Sequence, residues 1–107
     1  MEADIIADLT IELQNDPEFN ADVLALKVRN AIREVKVKRN YGATNYTDEQ
    51  IEKDLEKFYV VVENVARYDY NQIGVEGEKS HSENGINRTY VSRDSLFAVV
   101  HPFVDVI

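Results

Sequence analysis

The sequence predicts an all-α fold: a small bundle of about four helices, with a short β-ribbon arm before the C-terminal helix. Three observations point to it. Apolar residues recur at spacings of three and four through separate stretches, which is the period of one helix face. Thr47-Asp48-Glu49-Gln50 has the pattern of a capping box just ahead of the third stretch. Three of the four glycines, Gly74, Gly77 and Gly85, gather in the polar stretch 71–88.

The first helix is expected from Ala3 to Gln14, with Ile5, Ile6, Leu9 and Leu13 on one face. Asn15-Asp16-Pro17 ends it, because the residue before a proline is pushed away from helical geometry. The second helix starts at Asn20, a favourable N-cap, and runs to about Arg39. Leu24, Val28, Ala31, Ile32 and Val35 form its apolar stripe. Lys36, Lys38 and Arg39 gather at its C-terminal end, where cations suit the helix dipole. The alternation through Val35 and Val37 also reads as a strand, which leaves the last turn open between the two.

Residues 40–46 form a linker around Gly42. The third helix follows the capping box to about Tyr70, with Ile51, Leu55, Phe58, Val62 and Val65 stepping by four, three, four and three. Tyr59, Val61, Ala66 and Tyr70 widen that surface. A helix so broadly apolar packs against two neighbours, or against one neighbour and another subunit.

In the stretch 71–88, Asn84-Gly85 is a two-residue hairpin signal, so Glu78–Glu83 and Ile86–Val91 are expected to pair around it. A lone two-stranded ribbon is marginal in water, and such an arm needs support. A last helix is expected from Ser92 to about His101, where Pro102 interrupts it. The apolar tail 103–107 then either tucks into the core or adds to a partner.

A chain of 107 residues makes one domain the natural count. It has no cysteine, which excludes disulfides, thiolate chemistry and cysteine-based zinc sites. No apolar run approaches the ~20 residues that span a bilayer, and the acidic start Met1-Glu2-Ala3-Asp4 has no export-signal character. The net charge of -8 makes the chain a poor general nucleic-acid binder. Its charge is also segmented: acidic before residue 22, basic over 22–40, acidic again beyond. That pattern suits attraction between neighbouring helices, or between one subunit's acidic element and the next subunit's basic one.

The chemistry-bearing residues favour plain roles. His81 lies near Glu76, Glu78 and Glu83, but nothing apolar surrounds them to hold metal ligands in place. His101, in an apolar run, reads as a structural histidine. Asp4, Asp8 and Glu12 form a row set opposite the apolar face of the first helix. The row either keeps the chain soluble or answers a basic surface such as the Arg33/Lys36 end of the second helix. The cluster 36–39 holds too few cations for strong phosphate binding. The six tyrosines suit packing better than base stacking. Gly74-x-x-Gly77 lacks the lysine and hydroxyl of a phosphate loop. No catalytic, cofactor or metal residue is predicted.

One pattern goes further. Tyr68-x-Tyr70-Asn71-x-Ile73-Gly74-x-Glu76-Gly77-Glu78-x-Ser80-x-Ser82-Glu83-x-Gly85-Ile86 is followed by Tyr90 and by Leu96-Phe97-Ala98-Val99-Val100-x-Pro102-Phe103-Val104. This resembles the C-terminal half of phage head–tail connector, or DNA-packaging adaptor, proteins. The likeness is close over 55–107 and loose over the rest. It implies a structural virion protein rather than an enzyme, without cofactor. Copies would assemble into a homo-oligomeric ring below the portal protein of the filled head, and join it to a further connector or the tail. Genomic DNA would pass through the channel without sequence-specific binding. No membrane is involved; the implied location is the head–tail junction of the virion, and the host cytoplasm during assembly.

Contacts between copies are expected on the arm, at Gly74, Glu76, Gly77, Ser80, Ser82, Gly85 and Ile86, and on the basic end of the second helix, at Arg33 and Lys36. The alternative is a small helical regulatory or host-interaction module that never assembles beyond a dimer.

Overall fold

The computed structural model describes residues 1–72 and 92–104. Among them every regular element is helical: α1 (Glu2–Leu13), α2 (Ala21–Arg39), α3 (Asp48–Leu55) and α4 (Tyr59–Asn71), with short 3-10 turns between and after them. The expected hairpin and the arm residues from Gly74 to Ile86 lie outside the described residues.

Local chemistry sets the boundaries. The Asn20 side chain accepts from the Val23 N–H at 3.1 Å, which starts α2. Asn40 ends it in the left-handed region, at φ 60°, and its N–H bonds back to the carbonyls of Lys36 and Val37. The last turn is therefore helix and not strand. A Cβ is tolerated in this conformation mainly for asparagine and aspartate, so Asn40 suits a place where glycine is common. The capping box forms in both directions: Gln50 N–H donates to Thr47 Oγ1 at 3.2 Å, and Thr47 N–H donates to Gln50 Oε1 at 2.8 Å.

Two expectations need correction. The long third helix is broken: a 3-10 turn at Glu56–Phe58 separates α3 from α4. Phe58 of this turn joins Leu55 and Val61 in the core, and α4 beyond it packs on α2. The C-terminal α-helix expected from Ser92 to about His101 is absent. Its place is taken by a 3-10 helix, Arg93–Phe97, after which the chain turns and runs extended through Pro102. The segment is too short and too near the proline to propagate α-helical hydrogen bonds.

The core is the sum of the predicted stripes. Ile5 and Leu9 of α1, Leu24, Val28, Ala31 and Val35 of α2, and Val62, Val65 and Ala66 of α4 are wholly buried. Phe97 and Val100 close the cluster from the C-terminal segment. The broad surface of α4 meets α1, α2 and the Arg93–Phe97 turn. The α1–α2 connection is pinned to the end of α4, where Asn20 N–H donates to the Tyr70 hydroxyl at 2.9 Å and Phe19 packs on the Tyr70 ring.

Candidate assembly interface

The segment 92–104 is held at both ends by arginines. At the start, Arg93 forks onto two carboxylates: Asp69 of α4 accepts at 2.8 Å from both Nε and Nη2, and Glu34 of α2 accepts at 2.9 and 2.8 Å from Nη1 and Nη2. Two planar, charge-assisted pairs on one guanidinium fix its orientation as well as its position. They hold the arginine's proton more firmly than usual and draw the Glu34 carboxyl below its ordinary range. Because Asp69 lies near the end of α4 and Arg93 opens the C-terminal segment, the residues flanking 73–91 are brought side by side at this ion cluster.

At the far end the anchor lies deeper. Asp54 is the one buried charged residue among the described residues. It accepts from Arg39 Nε at 2.8 Å and Nη2 at 3.1 Å, from the Tyr41 hydroxyl at 2.6 Å, and pairs with Lys57 Nζ at 3.3 Å. Those donors compensate its burial and hold the carboxyl well below the usual carboxylate range, Arg39 contributing most. Burial raises the Tyr41 hydroxyl, and its bond to Asp54 raises it further.

Arg39 also donates to the His101 carbonyl at 2.8 Å, and its guanidinium lies 3.9 Å from the centre of the Phe103 ring. Phe103 N–H donates to the Arg39 carbonyl at 2.9 Å, and Asn40 Nδ2 donates to the Phe103 carbonyl at 2.9 Å. The C-terminus of α2 is thereby capped by the chain's own tail, with Tyr41 and Tyr46 around the phenyl ring. Of the tail expected to tuck into the core or add to a partner, Phe103 packs on its own protomer over Arg39 rather than in the core, Val104 is 73 % exposed, and residues 105–107 lie outside the described residues. His101 itself is exposed, and it is the backbone that engages Arg39.

The acidic row of α1 is also partly engaged, but not with the basic end of α2. Glu12 forms a bidentate pair with Arg67 at 2.7 and 3.0 Å, and Asp8 accepts from the Tyr59 hydroxyl at 2.7 Å, so both answer α4. Arg67 lowers the Glu12 carboxyl. Glu63, partly buried and beside Asp8, is raised.

The predicted contact residues fall into two groups. Gly74, Glu76, Gly77, Ser80, Ser82, Gly85 and Ile86, and with them His81, lie outside the described residues. Arg33 and Lys36 are exposed on α2, on the side away from the core stripe, in line with Arg29. Lys36 and the 77 %-exposed Val37 form one wall of an open groove of about 710 Å³, whose other wall is Asp48, Ile51 and Glu52 of α3.

The two arginine anchors escaped sequence reasoning. Asp54 carries a visible signal, a lone acid between Ile51, Leu55 and Phe58 on the core-facing side of its helix. Arg39 looked like an ordinary helix-terminal cation, and Arg93 has no local signature at all.

Among the described residues no helix is long and apolar enough to cross a membrane, and no three His, Cys, Asp or Glu side chains gather to hold a metal ion. No curated protein and no solved structure matches the chain significantly. A family model does match, over residues 4–100, and so takes in the α1–α4 core, both arginine anchors and the whole stretch between residues 72 and 92. The chain belongs to the phage gp6-like head-tail connector family.

Proposed function

We propose that this chain is the repeating subunit of a ring that sits below the portal of a DNA-filled phage head and joins it to the next connector or the tail. The observation that carries the reading is the family match across residues 4–100. The family is one of phage structural connectors rather than enzymes. The ring, its docking on the portal, the passage of DNA through its channel, and its place at the head–tail junction extend that membership.

Two features of the protomer support the extension. The 92–104 segment is clamped at both ends, and Arg93 at its start is paired with Asp69 near the end of α4. Exposed apolar side chains, among them Ile11 at 70 %, Val37 at 77 % and Val60 at 61 %, remain on a small domain, as expected of a part that buries surface only on assembly. In this reading Gly74, Glu76, Gly77, Ser80, Ser82, Gly85 and Ile86 contact a neighbouring copy, as do Arg33 and Lys36 of α2.

Sedimentation velocity over a concentration series, with and without purified portal rings, tests it. A closed oligomer, alone or templated on the portal, is the expected result. A chain that stays monomeric or dimeric throughout and leaves the portal unbound would overturn the reading in favour of a regulatory or host-interaction module.

A further inference from the structure

Two exposed stripes on this protomer carry opposite charge at matching intervals. On α2, Arg29, Arg33 and Lys36 are exposed and step by four and then three. On α3 and the first position of the turn after it, Glu56, Glu52 and Glu49, taken in reverse order, also step by four and then three. Each set spans seven residue steps, roughly 10 Å along the chain's helical path. Glu49, Glu52 and Glu56 line one shallow depression together with Lys53. Exposed apolar residues lie near one end of each stripe: Leu26, 42 % exposed, one turn before Arg29, and Val60, 61 % exposed, four residues beyond Glu56 at the start of α4.

Resting on the ring reading above, we propose that the α2 stripe of one copy docks antiparallel on the α3 stripe of the next. Arg29 then faces Glu56, Arg33 faces Glu52, Lys36 faces Glu49, and Leu26 covers Val60. The occupant is a second copy of this chain because, among the described residues, the α3 stripe supplies acids at the matching steps with an apolar residue toward the matching end. The acids of α1 are a poorer match: Glu12 is spent on Arg67 and Asp8 on Tyr59 within the protomer. Among the described residues neither Arg29, Arg33 and Lys36 nor Glu49, Glu52 and Glu56 form an ion pair inside the protomer. DNA is the rival occupant of a basic stripe. Three cations on a chain of net charge -8 give it little hold.

Lys36 and Glu52 stand on facing walls of one groove, so the two stripes adjoin at that end; where the same pair of copies does not return the contact it is heterologous, and repeated copies close into a ring when the rotation allows. Opposed charges at the edge of such a contact fix register and partner choice more than affinity, and their influence falls with added salt.

The test is a charge exchange read by sedimentation velocity beside portal rings at low salt. Circular dichroism checks each fold, and R33E and E52K serve as lighter versions. R29E/R33E/K36E and E49K/E52K/E56K should each weaken assembly by about a hundredfold, since like charges then oppose each other. Combining all six changes in one chain should restore it. If the wild type assembles and either triple reversal leaves assembly intact, or the six-fold exchange fails to restore it, the pairing is overturned while the ring reading stands. Loss of duplex-DNA binding by R29E/R33E/K36E with assembly unchanged would assign the stripe to DNA instead. A wild type that never assembles overturns both.

Discussion

The bundle of α1, α2 and α4 and the segment 92–104 are held by different forces. The bundle buries aliphatic side chains with no polar partner to satisfy, and its stability is spread over Ile5, Leu9, Leu24, Val28, Val35, Val62 and Val65. The segment contributes Phe97 and Val100 to that cluster, with Leu96 packed against it. Its position depends on a few charge-assisted bonds made by two arginines. Apolar burial is non-directional and tolerant of small shifts, whereas a guanidinium forked onto a carboxylate holds only one geometry. The segment should therefore be separable from the bundle by one substitution, and the bundle should not be separable from the segment.

The largest effect should come from the bundle. Leu24→Ala leaves a cavity against α1 and α4 and should cost about 3 kcal/mol. In chemical denaturation both regions should then unfold together, at a lower midpoint and an unchanged slope. A smaller effect is expected from Asp54→Ala, about 2 kcal/mol after allowance for the partial exposure of Arg39. Here the loss should be local: amide exchange at Phe103 should quicken by an order of magnitude or more, while amides of Val28 and Val62 keep most of their protection. Equal quickening everywhere would show that the segment and the bundle form one cooperative unit.

Acid offers the same test without mutation. The folded-state pKa of Asp54 is depressed, so its contribution is complete above the unfolded carboxylate value near pH ~4 and is lost as pH falls below it. Docking of the tail should accordingly persist through mildly acidic conditions and fail only in strong acid, before or with the bundle. The smallest effect belongs to Arg93→Ala. Its pairs are partly exposed, so the cost should be about 1 kcal/mol, reduced by salt. The check is exchange at Ala98 and Val100, which should quicken without change at Phe103. Coupled quickening at both ends would mean that the two anchors act as one.

The local periodicity of the sequence determined where the helices lie and which face each buries. Leu24, Val28, Ala31 and Val35 recur at helical steps, and Asn20 and the Thr47–Gln50 box carry their capping chemistry in the residues themselves. The motif over 68–104 likewise identified the family, because it is a linear pattern. The break at Glu56–Phe58, the replacement of a last helix by a 3-10 turn, and the assembly of Arg39, Asp54, Tyr41 and Phe103 were decided by tertiary structure alone. Those four residues lie up to 64 positions apart in the chain, and each is ordinary until folding brings it to the others. Burial then makes a carboxylate require a guanidinium, a demand that no short stretch of sequence states.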